Sequence, residues 1–203
     1  RVLGKRASPA ASSKNSGSTT QQQETNHCAV LGGASIWWGY EAKSDGVIII
    51  DTIGSAIDTV MAVYYATNWT YLSGNFVTCD NNGAPDGIRS SVRFQARRDT
   101  KYMVAIDGVN HAVGEISVNC KLGVPPPQGP PHPSPLGVPP GADITLAAIT
   151  NTTTIPPPSF QWFLNGRLIV GATQQNLTLR NVQSQHAGTY SGVVSNFADV
   201  VTQ

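Results

Sequence analysis

Apolar residues in this chain come in short runs, and no run keeps up the three-to-four-residue recurrence of an amphipathic helix. They are bounded instead by Asp, Asn, Gly and Ser. Before Leu122 the runs read as strands at 34–40 (ASIWWGY), 46–52 (GVIIIDT), 58–65 (DTVMAVYY), 71–78 (YLSGNFVT), 90–95 (SSVRFQ), 101–107 (KYMVAID) and 114–120 (GEISVNC). The links between them, such as KSDG, IGSA, DNNGAPDG and DGVN, are turn sequences. Closely spaced strands with no helix between them cannot form a parallel sheet, which needs crossover connections. The expected fold is therefore all-β, built from antiparallel sandwiches.

Strand alternation gives the pair Trp37-Trp38 a specific meaning. Successive side chains on a strand point to opposite faces, so Ile36, Trp38 and Tyr40 share one side, and Trp37 goes to the other. Trp38 is expected in the core, and Trp37 either faces outward or lies under a loop. Together with Tyr65, Trp69 and Tyr71 it forms a candidate platform, for a neighbouring subunit or for sugar rings.

The stretch from Gly123 to Pro140 holds nine prolines in eighteen residues. Such a run favours polyproline II and is expected to join two domains as a stiff spacer, part of which can lie along the second sandwich as an edge strand. The domains expected are thus an extended polar leader over 1–26, a first sandwich over 27–122, the linker over 123–140 and a second sandwich over 141–203. The leader has too little apolar content to be ordered alone, so something must dock it.

Only 12% of residues are charged and the net charge is +1. That excludes the strong field of a nucleic-acid binder, and no apolar run is long enough for a membrane helix. The polar, Gly- and Pro-rich balance suits an extracellular or cell-surface protein. The cysteines Cys28, Cys79 and Cys120 lack zinc-ligand spacing. A Cys28–Cys120 bridge is expected, because terminal strands often lie side by side, with three buried thiols as the other option.

Motifs in both halves are familiar. GGASIWWGYEAKSDGVIIIDTIGSAIDTVMAVYY, followed by CDNNG, SVRFQARRDTKYMVAIDG and GEISVN, resembles the bacterial pre-peptidase C-terminal (PPC) β-sandwich. That resemblance implies an accessory, non-catalytic module of a secreted or surface protein. The second half resembles an immunoglobulin-like domain of the intermediate set. FQWFLNGRLI matches its third strand with Trp162 as core tryptophan, and HAGTYSGVVSN supplies Tyr190 as corner tyrosine. Small residues, Ala148 and Gly192, stand where the usual inter-sheet cysteines would be, and His186 stands where an aspartate is usual.

Candidate chemistry is sparse. No nucleophile elbow or phosphate loop is present, and the histidines His27, His111, His132 and His186 fall in four different regions. Asp80, Asn82 and Asp86 crowd one loop whose oxygens suit calcium, although Asp and Asn in turns ordinarily cap their own backbone. No other cofactor is expected, nor an enzyme. The expected role is a structural subunit of an extracellular bacterial assembly, or an adhesion or spacer module, with a carbohydrate-binding accessory module as the alternative. The expected partners are copies of the chain in a head-to-tail polymer, Val2 and Leu3 of one leader lying beside Val200 and Val201 of the next copy; polysaccharide is the other candidate.

Overall fold

The computed structural model describes residues 10–20, 24–65, 75–129 and 137–203. The chain divides into two compact units, Arg1–Leu122 and Gly123–Gln203, and both are all-β.

Unit 1 is a sandwich of two antiparallel four-stranded sheets. Sheet I carries β1 (Ala10–Lys14), β8 (Glu115–Gly123), β3 (Gly46–Asp51) and β6 (Ser91–Ala96), in that spatial order. Sheet II carries β2 (Ile36–Glu41), β7 (Lys101–Gly108), β4 (Thr59–Tyr65) and β5 (Phe76–Asp80). Alternation along the strands builds the core between them. Ile36 and Trp38, Met61 and Val63, and Val104 and Ile106 come from sheet II; Ile48 and Ile50, Val92 and Phe94, and Ile116 and Val118 come from sheet I. The apolar runs thus form the strands expected, within a residue or two at most ends. The run 71–78 is the exception, since β5 begins at Phe76 and 71–74 lie outside the described residues.

Leader residues 10–14 are ordered as β1, antiparallel to β8 in register Ala10↔Asn119 through Lys14↔Glu115. The leader therefore docks on its own unit here. What anchors it is Asn15, which is fully buried. Its Nδ2 donates to the Ala112 carbonyl at 3.0 Å, and its Oδ1 accepts from Gly114 N–H at 2.7 Å. Small Ala and Ser side chains suit a strand that contributes ladder hydrogen bonds more than burial. Val2 and Leu3 lie outside the described residues.

Unit 2 pairs β9 (Ile144–Ala147) with β12 (Asn176–Leu179), and orders β11 (Arg167–Leu168), β10 (Ser159–Leu164), β13 (Tyr190–Ser195) and β14 (Val200–Thr202) in a second sheet. Trp162 is fully buried at its centre with Ala148 and Val194. Its Nε1 donates to the Gln174 carbonyl at 3.0 Å. Gly192 is its ladder partner, and a Cβ there would stand 3.4 Å from the indole ring, so the two small residues leave the space the indole fills. Tyr190 acts as the corner tyrosine, its hydroxyl donating to the His186 carbonyl at 2.8 Å.

The proline run does not serve only as a spacer. Val124 exchanges two backbone hydrogen bonds with Ile155, and the Gln203 side chain donates to Pro127 O at 3.4 Å, so residues 124–129 run along unit 2. This is the edge-segment role open to proline, which needs no ladder N–H. Residues 130–136, with His132, lie outside the described residues. Val201 is buried and paired with Val194 in β14, so this last strand is formed within the chain itself.

Candidate functional site

The outer face of sheet II is the most aromatic part of unit 1. Ladder register places Trp37, Ala105, Ala62 and Cys79 in one row across the sheet, and Gly39, Met103, Tyr64 and Phe76 in the next. The two alanines make room for the indole. Trp37 is nonetheless only 2% exposed, because the segment 24–34 crosses this face as a cover. It is thus not a surface platform residue, and the under-a-loop option is the one the fold takes.

The cover is tied down at three places. The first is a disulfide, Cys28–Cys79, with Cα atoms 5.7 Å apart. This corrects the expected Cys28–Cys120 bridge. Cys120 packs against the core from sheet I, whereas Cys28 lies over the outer face of sheet II, so a layer of the sandwich separates them. Beside β8 lies β1, not the Cys28 segment. Cys120 is a free thiol, pushed up to about 11 by burial and by the nearby Asp51.

The second tie is His27, buried beneath the surface. One ring nitrogen, Nδ1, lies 3.0 Å from Tyr64 Oη, and Nε2 lies 2.9 Å from Glu24 Oε1. The imidazole also meets Trp37 edge-on, ring centres 5.6 Å apart. A carboxylate, an imidazole and a hydroxyl in line is the order of a proton relay. Burial, then the Glu24 charge, raises the Tyr64 phenol above its ordinary value. Glu24 and His27 belong to the cover and Tyr64 to β4, so the group joins cover to sheet.

The third tie is Asp107 at the end of β7, also buried. It accepts from the backbone N–H groups of Gly33 (2.7 Å), Ala34 (3.0 Å) and Gly108 (2.7 Å). A side chain at Gly32 would run into that carboxylate, so the close approach requires glycine there. Against these ties stands backbone strain. Cys28 (φ 51°) and Ala29 (φ 57°) are consecutive left-handed residues without being glycine, at about 1–2 kcal/mol each. A bridge between residues 51 apart stabilises by about 2–4 kcal/mol and can hold such a conformation.

The other predicted positions are scattered. Tyr65 is 39% exposed and packs on Tyr102, with ring centres 5.6 Å apart; Trp69 and Tyr71 lie outside the described residues. In the acidic loop, Asp80 Oδ2 accepts from the N–H groups of Gly83 and Ser91 at 2.7 and 2.8 Å. Asp86 Oδ1 accepts from those of Ile88 and Arg89 at 3.0 and 2.8 Å, which lowers its carboxyl below the usual range. Oriented to satisfy its neighbours, the Asn82 amide donates to the carbonyls of Asn81 (2.9 Å) and Ile88 (3.2 Å). These groups have the geometry of turn caps, and among the described residues no three His, Cys, Asp or Glu side chains cluster as a metal site would need.

Unit 2 offers a different kind of surface. On the face of its four-stranded sheet turned away from Trp162, register aligns Phe163 with Leu168 and Ser191, Val193 with Gln161 and Thr202, and Val200 with Ser195. None of these residues is charged. Leu168 is 54% exposed and Val200 63%. Next to β11, Val170 is 89% exposed.

The Glu24–His27–Tyr64 group was not readable in sequence. Glu24 and His27 have the three-residue spacing of a local pair, but their partner Tyr64 stands 37 residues further on, and Glu24 falls in the low-complexity leader.

No protein-family model and no curated protein matches the chain. Among solved structures, it is similar to the pre-peptidase C-terminal domain of a collagenase from Bacillus anthracis, at 11% identity and TM-score 0.37, covering 57% of this chain and 90% of that one. It is also similar to CorA, a surface-associated copper-binding protein important in copper acquisition by Methylomicrobium album BG8, at 11% identity and TM-score 0.38, covering 60% and 98%. Murine CEACAM1b is similar at 14% identity and TM-score 0.37, covering 80% of this chain and 91% of that one. None of the three transfers a ligand or an activity to this chain. No helix among the described residues is long and apolar enough to cross a membrane.

Proposed function

We propose that this chain is an exported, non-enzymatic structural module of an extracellular bacterial assembly, and that it associates with further copies of itself through unit 2. The observation that carries the reading is the uncharged outer face built on β10, β11, β13 and β14, with Phe163 and Val193 at its centre and Leu168 and Val200 exposed beside them. Solvent-facing strands ordinarily carry charge, and charged residues are depleted where surfaces are buried by a partner. The Cys28–Cys79 bridge supports export, because structural disulfides persist in oxidising compartments. The non-enzymatic part is supported by how the ionisable groups are used: Asp80, Asp86 and Asp107 cap backbone amides, and His27 and Tyr64 face each other under a cover.

A second reading is favoured by one observation. Phe76 is 51% exposed on the outer face of sheet II and meets Tyr64 edge-on, an exposed aromatic ring suited to stacking on a sugar ring. Electron microscopy of the oxidised full chain, paired with a pull-down on insoluble polysaccharides, separates the two. Ordered polymers support the structural reading. Dispersed single particles retained on polysaccharide, and released on Phe76→Ala, support the glycan reading instead.

A further inference from the structure

The cover over sheet II is built unlike the sandwich beneath it. Residues 24–31 bring two buried side chains of their own, both polar, Glu24 and His27, while Thr25, Asn26, Ala29 and Leu31 are exposed. Its backbone is left-handed at both Cys28 and Ala29. What it hides is the opposite in character: Trp37, Tyr64, Ala62 and Ala105, all buried, with Met103 partly so. A polar, strained strip thus lies over an apolar aromatic face that is already fixed by the ladders of β2, β7 and β4.

The anchoring is also divided. The Asp107 carboxylate grips the backbone at Gly33 and Ala34, one end of the strip, close to the start of β2. Toward the other end the covalent tie is Cys28–Cys79, assisted by the His27–Tyr64 hydrogen bond. At the Asp107 end the Leu31 carbonyl also accepts from Asn110 N–H at 2.8 Å, so the chain between Ala29 and Leu31 is where the strip can turn. We infer that residues 24–31 form a redox-latched cover: the Cys28–Cys79 disulfide holds it shut over Trp37 and Tyr64, and reduction by a dithiol uncovers that aromatic face while the sandwich stays folded.

The chemistry is a two-electron exchange. The Sγ–Sγ bond breaks, Cys28 and Cys79 each take up a proton as thiols, and the dithiol closes to its own cyclic disulfide. Once released, the left-handed residues relax and the strip loses its only covalent hold on β5. For its setting, though not for its test, the inference rests on the exported reading: the face is open in a reducing compartment and shut after oxidation outside. An aromatic face available only before export is a surface for transient contacts during export, which closes as the chain matures.

The test uses the full chain with and without dithiothreitol, alkylation and mass measurement confirming that Cys28 and Cys79 are free. Hydrogen exchange is read over 27–31, β2 and β7, and acrylamide quenching is read as the difference between the parent and Trp37→Phe. The expected result is about tenfold or greater acceleration over 27–31 on reduction, with β2 and β7 little changed, as for a local opening. Trp37-dependent quenching should rise with it. Cys120→Ser should respond like the parent, and oxidised Cys28→Ser should behave like the reduced parent. Unchanged exchange over 27–31 with both thiols free overturns the inference, since packing would then hold the cover. Parallel acceleration in β2 and β7, or failure of both the reduced parent and Cys28→Ser to stay folded, overturns it too, because the bridge would then staple the whole unit.

Discussion

The side chains of Trp37 and Trp38 leave β2 on opposite faces, and both end up buried for different reasons. Trp38 enters the core between the sheets by strand alternation alone. Trp37 is buried because His27 and the rest of the strip come down on it. In unit 2 a single residue bears a comparable load. Trp162→Ala should cost about 3–5 kcal/mol, since no inter-sheet bridge compensates for the cavity. Loss of the cooperative melt of residues 123–203 in calorimetry is the expected readout; a melt close to the parent's would contradict this role. Asp107→Ala should destabilise unit 1 by about 2–3 kcal/mol by leaving buried N–H groups at Gly33, Ala34 and Gly108 without their acceptor. Denaturant midpoints measure that. Cys120, raised to about 11, stays protonated at pH 8, so iodoacetamide should label it far more slowly in the native chain than in the unfolded one. Equal rates would mean that the thiol is not buried.

Secondary elements differ in how far the amino-acid sequence betrays them. The strands of the first sandwich core were legible because each buries one face and alternation records it: GVIIID becomes β3 and KYMVAIDG becomes β7. In unit 2, the Trp162 and Tyr190 positions were legible through the resemblance of FQWFLNGRLI and HAGTYSGVVSN to an immunoglobulin-like domain. The leader strand β1 was not. AASSK carries no apolar alternation, and its place is set by buried Asn15, whose partners Ala112 and Gly114 lie about a hundred residues away in sequence. Nor was the cover legible, since its hold comes from a disulfide whose partner no spacing rule selects. Of the proline run, residues 124–127 take the edge-segment role that was one option for it. Asn15→Ala should free β1. The expected effect is a loss of about 1–3 kcal/mol and faster hydrogen exchange along β8, from Glu115 to Asn119, where the ladder to β1 runs. If β8 exchange stays at the parent rate, Asn15 is not the anchor.

At the scale of the whole molecule, two β-sandwich units carry opposite kinds of surface. Unit 1 shields its aromatic face with a covalently tied strip, whereas unit 2 leaves an uncharged face with Leu168 and Val200 in the open. Exposed apolar patches mark the places where proteins meet their partners. The proposal that the partner is another copy is tested most directly by sedimentation of the oxidised full chain over a wide concentration range, beside the double variant Leu168→Glu/Val200→Glu. Both positions are exposed, so the added charges leave the fold of unit 2 intact. The account predicts that the parent sediments as species growing with concentration well beyond the 21.4 kDa of one chain, and that the variant stays at that mass. A parent that remains at the mass of one chain throughout, or a variant that assembles as the parent does, would contradict it.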